Sequence, residues 1–248
     1  MTEKTENLAA RYQMEQCLYP SPSGGTLPYC RRLINPEQPG ETPVLLFLHG
    51  AGERGGDNDK QLLWCCPEVI SWCERNHQKL LFLVPQCPPE QQWVNTPWQN
   101  LRHSLPEISV PMTLALEMLD MEIARTEADT DRLYISGISM GGYGTWDAIS
   151  RFPEKFAAAF PICGGADTAQ TPKLVKLPLR FYHGDADAAV PVSRSRDMAD
   201  ALRTAGSKVF TYTELPGCGH NAWTPAFSND DNLAWLFAQK RQQKAAEK

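Results

Sequence analysis

The sequence predicts an α/β fold, a mostly parallel central sheet with helices on both faces. Three observations predict it. From residue 43 onward, short near-continuous apolar runs alternate with segments of helical character. Most of those runs lack the polar–apolar alternation of a half-exposed sheet, as strands buried on both faces do. The 248 residues, 42% hydrophobic and 21% charged, have an ordinary globular composition. With no repeat, low-complexity tract or linker to split it, the chain reads as a single domain over 1–248, its core at about 12–240.

The elements follow in order. Residues 13–34 read QMEQCLYP, then SPSGGT, then LPYCRRLI, two strands around a Gly/Ser turn. This N-terminal antiparallel hairpin is expected on the edge of the sheet. Further strands are expected at PVLLFLH (43–49), KLLFLVP (79–85), DRLYIS (131–136), KFAAAFPIC (155–163), LPLRFYH (177–183) and KVFTYTEL (208–215). A helix begins at Pro111, suited to a first helical turn, with apolar positions 112, 114, 116, 119 and 123. A second covers 140–152, a third 191–206 with Gly206 as its cap, and a fourth starts at Asp230 and frays into a polar end. No helix is assigned between residues 50 and 79. Residues 86–110 form one long irregular segment, of the kind that is usually functional or disordered. Trp93 and Trp98 argue for order, either pinning the segment to the body or lining a ligand cleft.

The chemistry concentrates in YISGISMGGYG, Tyr134–Gly144. A Gly-x-Ser-x-Gly between a strand and a helix is the setting of a nucleophile elbow, a tight turn that lifts the serine above the sheet. The dinucleotide fingerprint would need glycine at Ser139, and the phosphate-loop Lys-Ser/Thr pair is absent. Ser139 is therefore the candidate nucleophile. It needs a base and an orienting acid, in the chain order serine, acid, histidine. Only His183 and His220 follow it. His220, in LPGCGHNAW after the last strand, has the freedom to reach back. His183 ends a strand and reads as a partly buried structural histidine. HGDADAAVPV offers two acids past the strand end, Asp187 being better placed for His220 and Asp185 able to brace the turn. Glu214 is a weaker third. The oxyanion donors are expected at Met140, next after the serine, and in HGAGERGG, at Ala51 or less firmly Gly52. Glu53 and Arg54 read as an ion pair shaping that loop, with a grip on a substrate carboxylate as the other role for Arg54.

Composition excludes several classes. The net charge is −5 and no basic run appears, so neither nucleic acid nor an anionic membrane is an expected partner. The polar start MTEKTENLAARYQ has no apolar core of a leader, which favours the cytoplasm, although a trimmed secreted protein would look the same. Eight cysteines in a chain long enough to build its own core are expected as thiols, Cys163 and Cys218 among them as small packing groups. Their spacing fits no zinc pattern. No metal or cofactor is expected.

Together, LLFLHGAGERG, PQCP followed by a tryptophan, ISGISMGGYGTW, FYHGDADAAVPV and GCGHNAW resemble segments of the α/β-hydrolases. The nearest groups are the feruloyl-esterase, dienelactone-hydrolase and phospholipase/carboxylesterase groups of the esterase and predicted-peptidase branch. The resemblance runs from about residue 12 to 240. It implies the α/β-hydrolase fold, Ser139 as nucleophile, Asp187 as acid and His220 as base, in a serine esterase working through an acyl-enzyme. The short stretch after Cys163 leaves no room for a large cap. The site should then be open, walled by 86–110, 164–176 and Trp223. Trp93, Trp98 and Trp223 favour an aromatic or carbohydrate-linked ester substrate, since flat rings stack on indoles. A serine peptidase or amidase shares these motifs, and a non-catalytic binder on the same scaffold would be expected to lose a triad member. Monomer and homodimer are equally open.

Overall fold

The computed structural model describes residues 7–126 and 128–241. Its strands are β1 (Glu15–Pro20), β2 (Thr26–Ile34), β3 (Thr42–Leu48), β4 (Leu80–Pro85), β5 (Ala128–Ile138), β6 (Ala158–Ile162), β7 (Leu179–Gly184) and β8 (Phe210–Leu215). Its α-helices are α1 (Leu8–Arg11), α2 (Cys66–Arg75), α3 (Val110–Thr126), α4 (Met140–Arg151), α5 (Ser193–Thr204), α6 (Trp223–Phe227) and α7 (Asp230–Ala238). One sheet runs in the order β1-β2-β4-β3-β5-β6-β7-β8. β1, β2 and β4 pair antiparallel, and β4 through β8 along that order pair parallel.

The pleat of β3 explains why the sheet is covered twice. Val44, Leu46 and Leu48 point into one core with residues of α3, α4 and α5. Leu45 and Phe47 point the other way, toward residues of α1, α2, α6 and α7. All seven residues of β3 and all six of β4 are buried, and that accounts for their unbroken apolar runs.

Helix α2 is a correction to the sequence reading. It begins after Cys65, whose φ is +64°, and buries Cys66, Val69, Ile70, Trp72 and Cys73 beneath the sheet. Its signal was Pro67, a residue suited to a first helical turn. α7 ends at Ala238, where the Tyr134 hydroxyl shares its one hydrogen between the carbonyls of Phe237 (3.0 Å) and Gln239 (2.8 Å). The polar end expected beyond it, 242–248, lies outside the described residues.

The strand order places the site. β4 lies on one side of β3 and β5 on the other, so the chain reverses its winding direction at β3. Such a reversal opens a crevice at the carboxyl ends of the strands, where ligands bind in open α/β sheets. No cap covers it. Between β6 and β7 the chain makes only 3-10 turns, over Thr168–Leu174. No helix of the described residues is long and apolar enough to cross a membrane.

Candidate active site

Ser139 sits on the turn from β5 into α4 with φ +54° and ψ −118°, a conformation that a side-chain-bearing residue adopts only when its surroundings impose it. The imposition is backbone against backbone. A Cβ added to Gly141 would lie 1.8 Å from the Leu48 carbonyl oxygen, and one at Gly137 would lie 2.3 Å from that of Gly141. Only glycine lets α4 start this close to β3 and β5. Gly142 and Gly144 continue the approach, against the Ile162 carbonyl and the Trp93 side chain. The Ser139 amide donates to Ile162 O at 2.9 Å, which ties the turn to β6.

The loops after β7 and β8 bring the next two groups. His220 Nε2 lies 2.8 Å from Ser139 Oγ, and its Nδ1 lies 2.7 Å from Asp187 Oδ2. The Asp187 side chain is wholly buried. Burial opposes its ionisation, but hydrogen bonds from His183, His220 and the amides of Val190 and Ala189 outweigh it and hold the carboxyl far below the usual range. It is therefore a carboxylate, and it fixes the hydrogen of His220 on Nδ1, leaving Nε2 free to accept from the serine. Asp185 does not reach His220; its Oδ1 takes the Gly217 amide at 2.7 Å and braces the two loops. Glu214 pairs with Arg196 on the surface. His183, read as partly buried, is wholly buried and lies 3.2 Å from Asp187.

The loop after β3 opens with a 3-10 turn over Ala51–Glu53. His49 is buried beneath it. Its Nε2 accepts the Cys87 amide (2.9 Å), so its hydrogen is on Nδ1 and is donated to Gly50 O (2.6 Å). Burial holds its pKa down at about 4. In a trans peptide the N–H points opposite to the C=O, so the Ala51 amide faces away from His49. Arg54 Nε donates to Ala51 O at 2.9 Å, which turns the Gly52 amide away from Arg54 in the same manner. Met140 opens α4, where the first amides have no acceptor within the helix. Among the described residues no Glu53–Arg54 ion pair forms: Arg54 binds the carbonyls of Ala51 and Gln91. Glu53 is buried beside the loop. Burial raises its pKa, while the Gly50 and Glu53 amides and the Trp64 indole pull it down.

A cleft of about 270 Å³ opens at Ser139 and His220, lined by Trp64, Trp98, Trp223, Ile138, Val190 and the 50–53 loop. Trp223 stands edge-on to His220 with ring centres 5.2 Å apart, and Trp64 stands 6.2 Å from Trp223. Trp93 requires a correction. It is wholly buried, its indole donates to His49 O at 3.1 Å, and it supports α4 rather than the cleft. Residues 164–176 do not line the cleft either. Their Ala166 carbonyl and Asp167 carboxylate instead bind Arg194 and the Leu105 amide.

Those contacts fasten the Trp98 wall. The Tyr143 hydroxyl donates to Trp98 O at 2.9 Å. Buried Arg194 donates to Leu101 O at 2.8 Å and to His103 Nδ1 at 2.5 Å, with its guanidinium 5.6 Å over the Tyr143 ring. His103 must therefore be neutral; burial and the Arg194 charge hold its pKa down at about 4. The sequence reading missed Trp64, which follows Leu62-Leu63 with no periodic signal of exposure. It also missed the His183–Asp187 contact, for which the four-residue spacing after a strand end was the available sign.

Comparison with known proteins places the chain in a family. A thermostable esterase of known crystal structure superposes with a TM-score of 0.82 at 32% identity, over 92% of this chain and 63% of that one. A poly(3-hydroxyoctanoate) depolymerase of Pseudomonas fluorescens is 36% identical over 118 residues, 44% of this chain and 41% of that protein. An uncharacterized secreted protein of Arthroderma benhamiae is 25% identical over 235 residues, 80% of this chain and 23% of that protein. The chain thus spans less than two thirds of the length of each. Residues 29–229 match the profile of one family, and the chain belongs to it: the phospholipase/carboxylesterase family of α/β-hydrolases.

Proposed function

We propose that the protein hydrolyses carboxylic esters through an acyl-enzyme on Ser139. The observation that carries this reading is the continuous relay from Ser139 Oγ through His220 to the Asp187 carboxylate, open to a cleft. Ser139 Oγ attacks the ester carbonyl carbon while its hydrogen passes to His220 Nε2. Asp187 stabilises the imidazolium. The oxyanion is received by the amide of Met140 and by that of Ala51, or of Gly52 beside it. His220 then gives the hydrogen to the departing alcohol. Water attacks the acyl carbon, again with His220 as base, and releases the acid and the free serine.

The substrate class we propose is an ester with an aromatic or carbohydrate part. Three indoles at the cleft support it: Trp64, Trp98 and Trp223. Sugars and aromatic acids stack on such faces. The uncapped crevice supports a bulky, solvent-facing ester over a long buried acyl chain. A panel of short-acyl, long-acyl, aromatic-acyl and acetylated-sugar esters, with a matched anilide, tests this. Highest kcat/KM is expected on aromatic or sugar esters and the lowest on the anilide. A preference for long-chain triglycerides would contradict the substrate class, and a preference for the anilide would contradict the ester reading.

A further inference from the structure

Resting on that reading of Ser139, His220 and Asp187, the surroundings of the acid show one more participant. Four N–H-bearing groups face the Asp187 carboxylate. Oδ1 takes the amides of Ala189 (2.8 Å) and Val190 (2.9 Å). Oδ2 takes His220 Nδ1 at 2.7 Å and also lies 3.2 Å from His183 Nε2. Two imidazoles thus meet one oxygen of the acid.

The hydrogen on His183 can be assigned. Nε2 faces Asp187 Oδ2 and, at 3.1 Å, the Val190 carbonyl. Both can only accept, so Nε2 carries a hydrogen. Nδ1 lies 2.8 Å from Ser195 Oγ, which is itself 3.1 Å from Gly164 O. The ring is held from β7, from the loop after it, from α5 and, through Ser195, from the link after β6. It is wholly buried, so turning it would leave polar atoms unpaired. A residue there for volume alone would be apolar, since burying an imidazole is costly unless both nitrogens are satisfied.

We infer that His183 is a positioning residue of the reaction: its Nε2–H shares Asp187 Oδ2 with His220, fixes the carboxylate, and limits how strongly that oxygen holds the His220 hydrogen. A donor on a carboxylate stabilises its charged form and lowers its basicity. Without His183, Oδ2 would bind the His220 N–H more tightly and stabilise the imidazolium more strongly. The other titratable groups facing this pair are the Cys163 thiol at the end of β6, Tyr143 on α4 and Glu214 on β8. The Cys163 thiol also hydrogen-bonds the Asp187 side chain, but none of the three offers an N–H to Oδ2.

The test compares His183→Phe with His183→Gln, both checked for folding by thermal unfolding and for an intact serine by fluorophosphonate labelling. His183→Phe is expected to lower kcat roughly 10- to 100-fold, the equivalent of one hydrogen bond to a charged group, with KM little changed. The acid limb of its pH profile should move to higher pH. His183→Gln can place an N–H near the same oxygen and should restore part of kcat and return the limb toward the wild-type position. Folded His183→Phe with an unmoved limb overturns the inference, as do equal losses in both variants with the limb unmoved. If His183→Phe does not fold, proton NMR of the unmodified protein decides. Beside the resonance of the buried His49 N–H, two downfield imidazole N–H resonances are expected, one lost in His183→Gln and the other in His220→Gln; no resonance lost in His183→Gln overturns the proposal. Absence of ester hydrolysis with both resonances present would instead defeat the reading of Ser139 on which the inference rests.

Discussion

The elbow around Ser139 and the wall that carries Trp98 meet at the same cleft and are built in opposite ways. The elbow is held by main chain on main chain, with Gly141 against Leu48 O and Gly137 against Gly141 O, and no side chain intervenes. The wall is held by side-chain hooks, from Tyr143 to Trp98 O and from Arg194 to Leu101 O and His103. A main-chain contact cannot be relaxed by choosing another rotamer, whereas a side-chain hook can be lengthened, shortened or replaced. The proposed chemistry therefore rests on a part that tolerates no substitution, and the proposed specificity on a part that can be retuned. Core packing around the elbow and hydrogen bonds around the wall should respond differently to mutation and to pH.

The largest effect is expected where the difference is sharpest. Gly141→Ala forces a methyl onto a carbonyl oxygen and should cost more than about 4 kcal/mol, read by urea unfolding and by loss of soluble native protein. A folded, active variant would mean that the elbow can give. Next come the two tryptophans of the 86–110 segment. Trp93→Ala should cost about 3–4 kcal/mol of stability, because it empties a buried site under α4. Trp98→Ala should leave stability within about 1 kcal/mol and raise KM for aromatic esters roughly tenfold, through loss of one stacking face. If the two variants exchanged these outcomes, the assignment of Trp93 to the core and Trp98 to the cleft would be wrong.

The smallest effect is a slope in pH. His103 on the wall and His49 under the loop after β3 are both held at about 4, below the ordinary 6.5. As pH falls from 6.5 toward 4, the unfolded chain takes up protons that the folded protein refuses, so stability drops through that window and is recovered above it. Asp187 acts lower. Its carboxyl is held far below the ordinary 3.8, so its contribution is complete above that value and is lost only in stronger acid. His103→Gln should flatten the slope between about pH 6.5 and about pH 4.5 by removing one of the two histidine contributions. An unchanged slope would show that the wall does not depend on a neutral His103.

The same contrast explains what the sequence made legible. The elbow demands glycine at fixed offsets from the serine and sits between a strand and a helix, so its geometry is written locally in Gly137, Ser139 and Gly141. The alternation of runs gave the parallel sheet, and the order serine, acid, histidine brought Ser139, Asp187 and His220 to neighbouring loop ends. Which indole faces a cleft is decided by packing from elsewhere in the chain. Trp93 and Trp98 look alike in sequence, yet one meets Gly144 and His49 while the other hangs from Tyr143. Trp64 joins the cleft from a segment with no periodic pattern. Adjacent opposite charges suggest a Glu53–Arg54 pair, but the loop carbonyls of Ala51 and Gln91 lie better for the Arg54 guanidinium. For α2 the sequence shows little beyond Pro67 to mark its start after the left-handed Cys65.

The central claim is that Ser139 is a nucleophile activated by His220 and Asp187. It is tested most directly by treating the folded protein and its Ser139→Ala variant with a fluorophosphonate and reading intact mass alongside ester turnover. The account predicts a single adduct on the native protein, mapped to Ser139, with no adduct on the variant. Turnover in the variant should fall by roughly 10⁴-fold or more. A folded native protein that takes no label, or a variant that hydrolyses esters at the native rate, would contradict it.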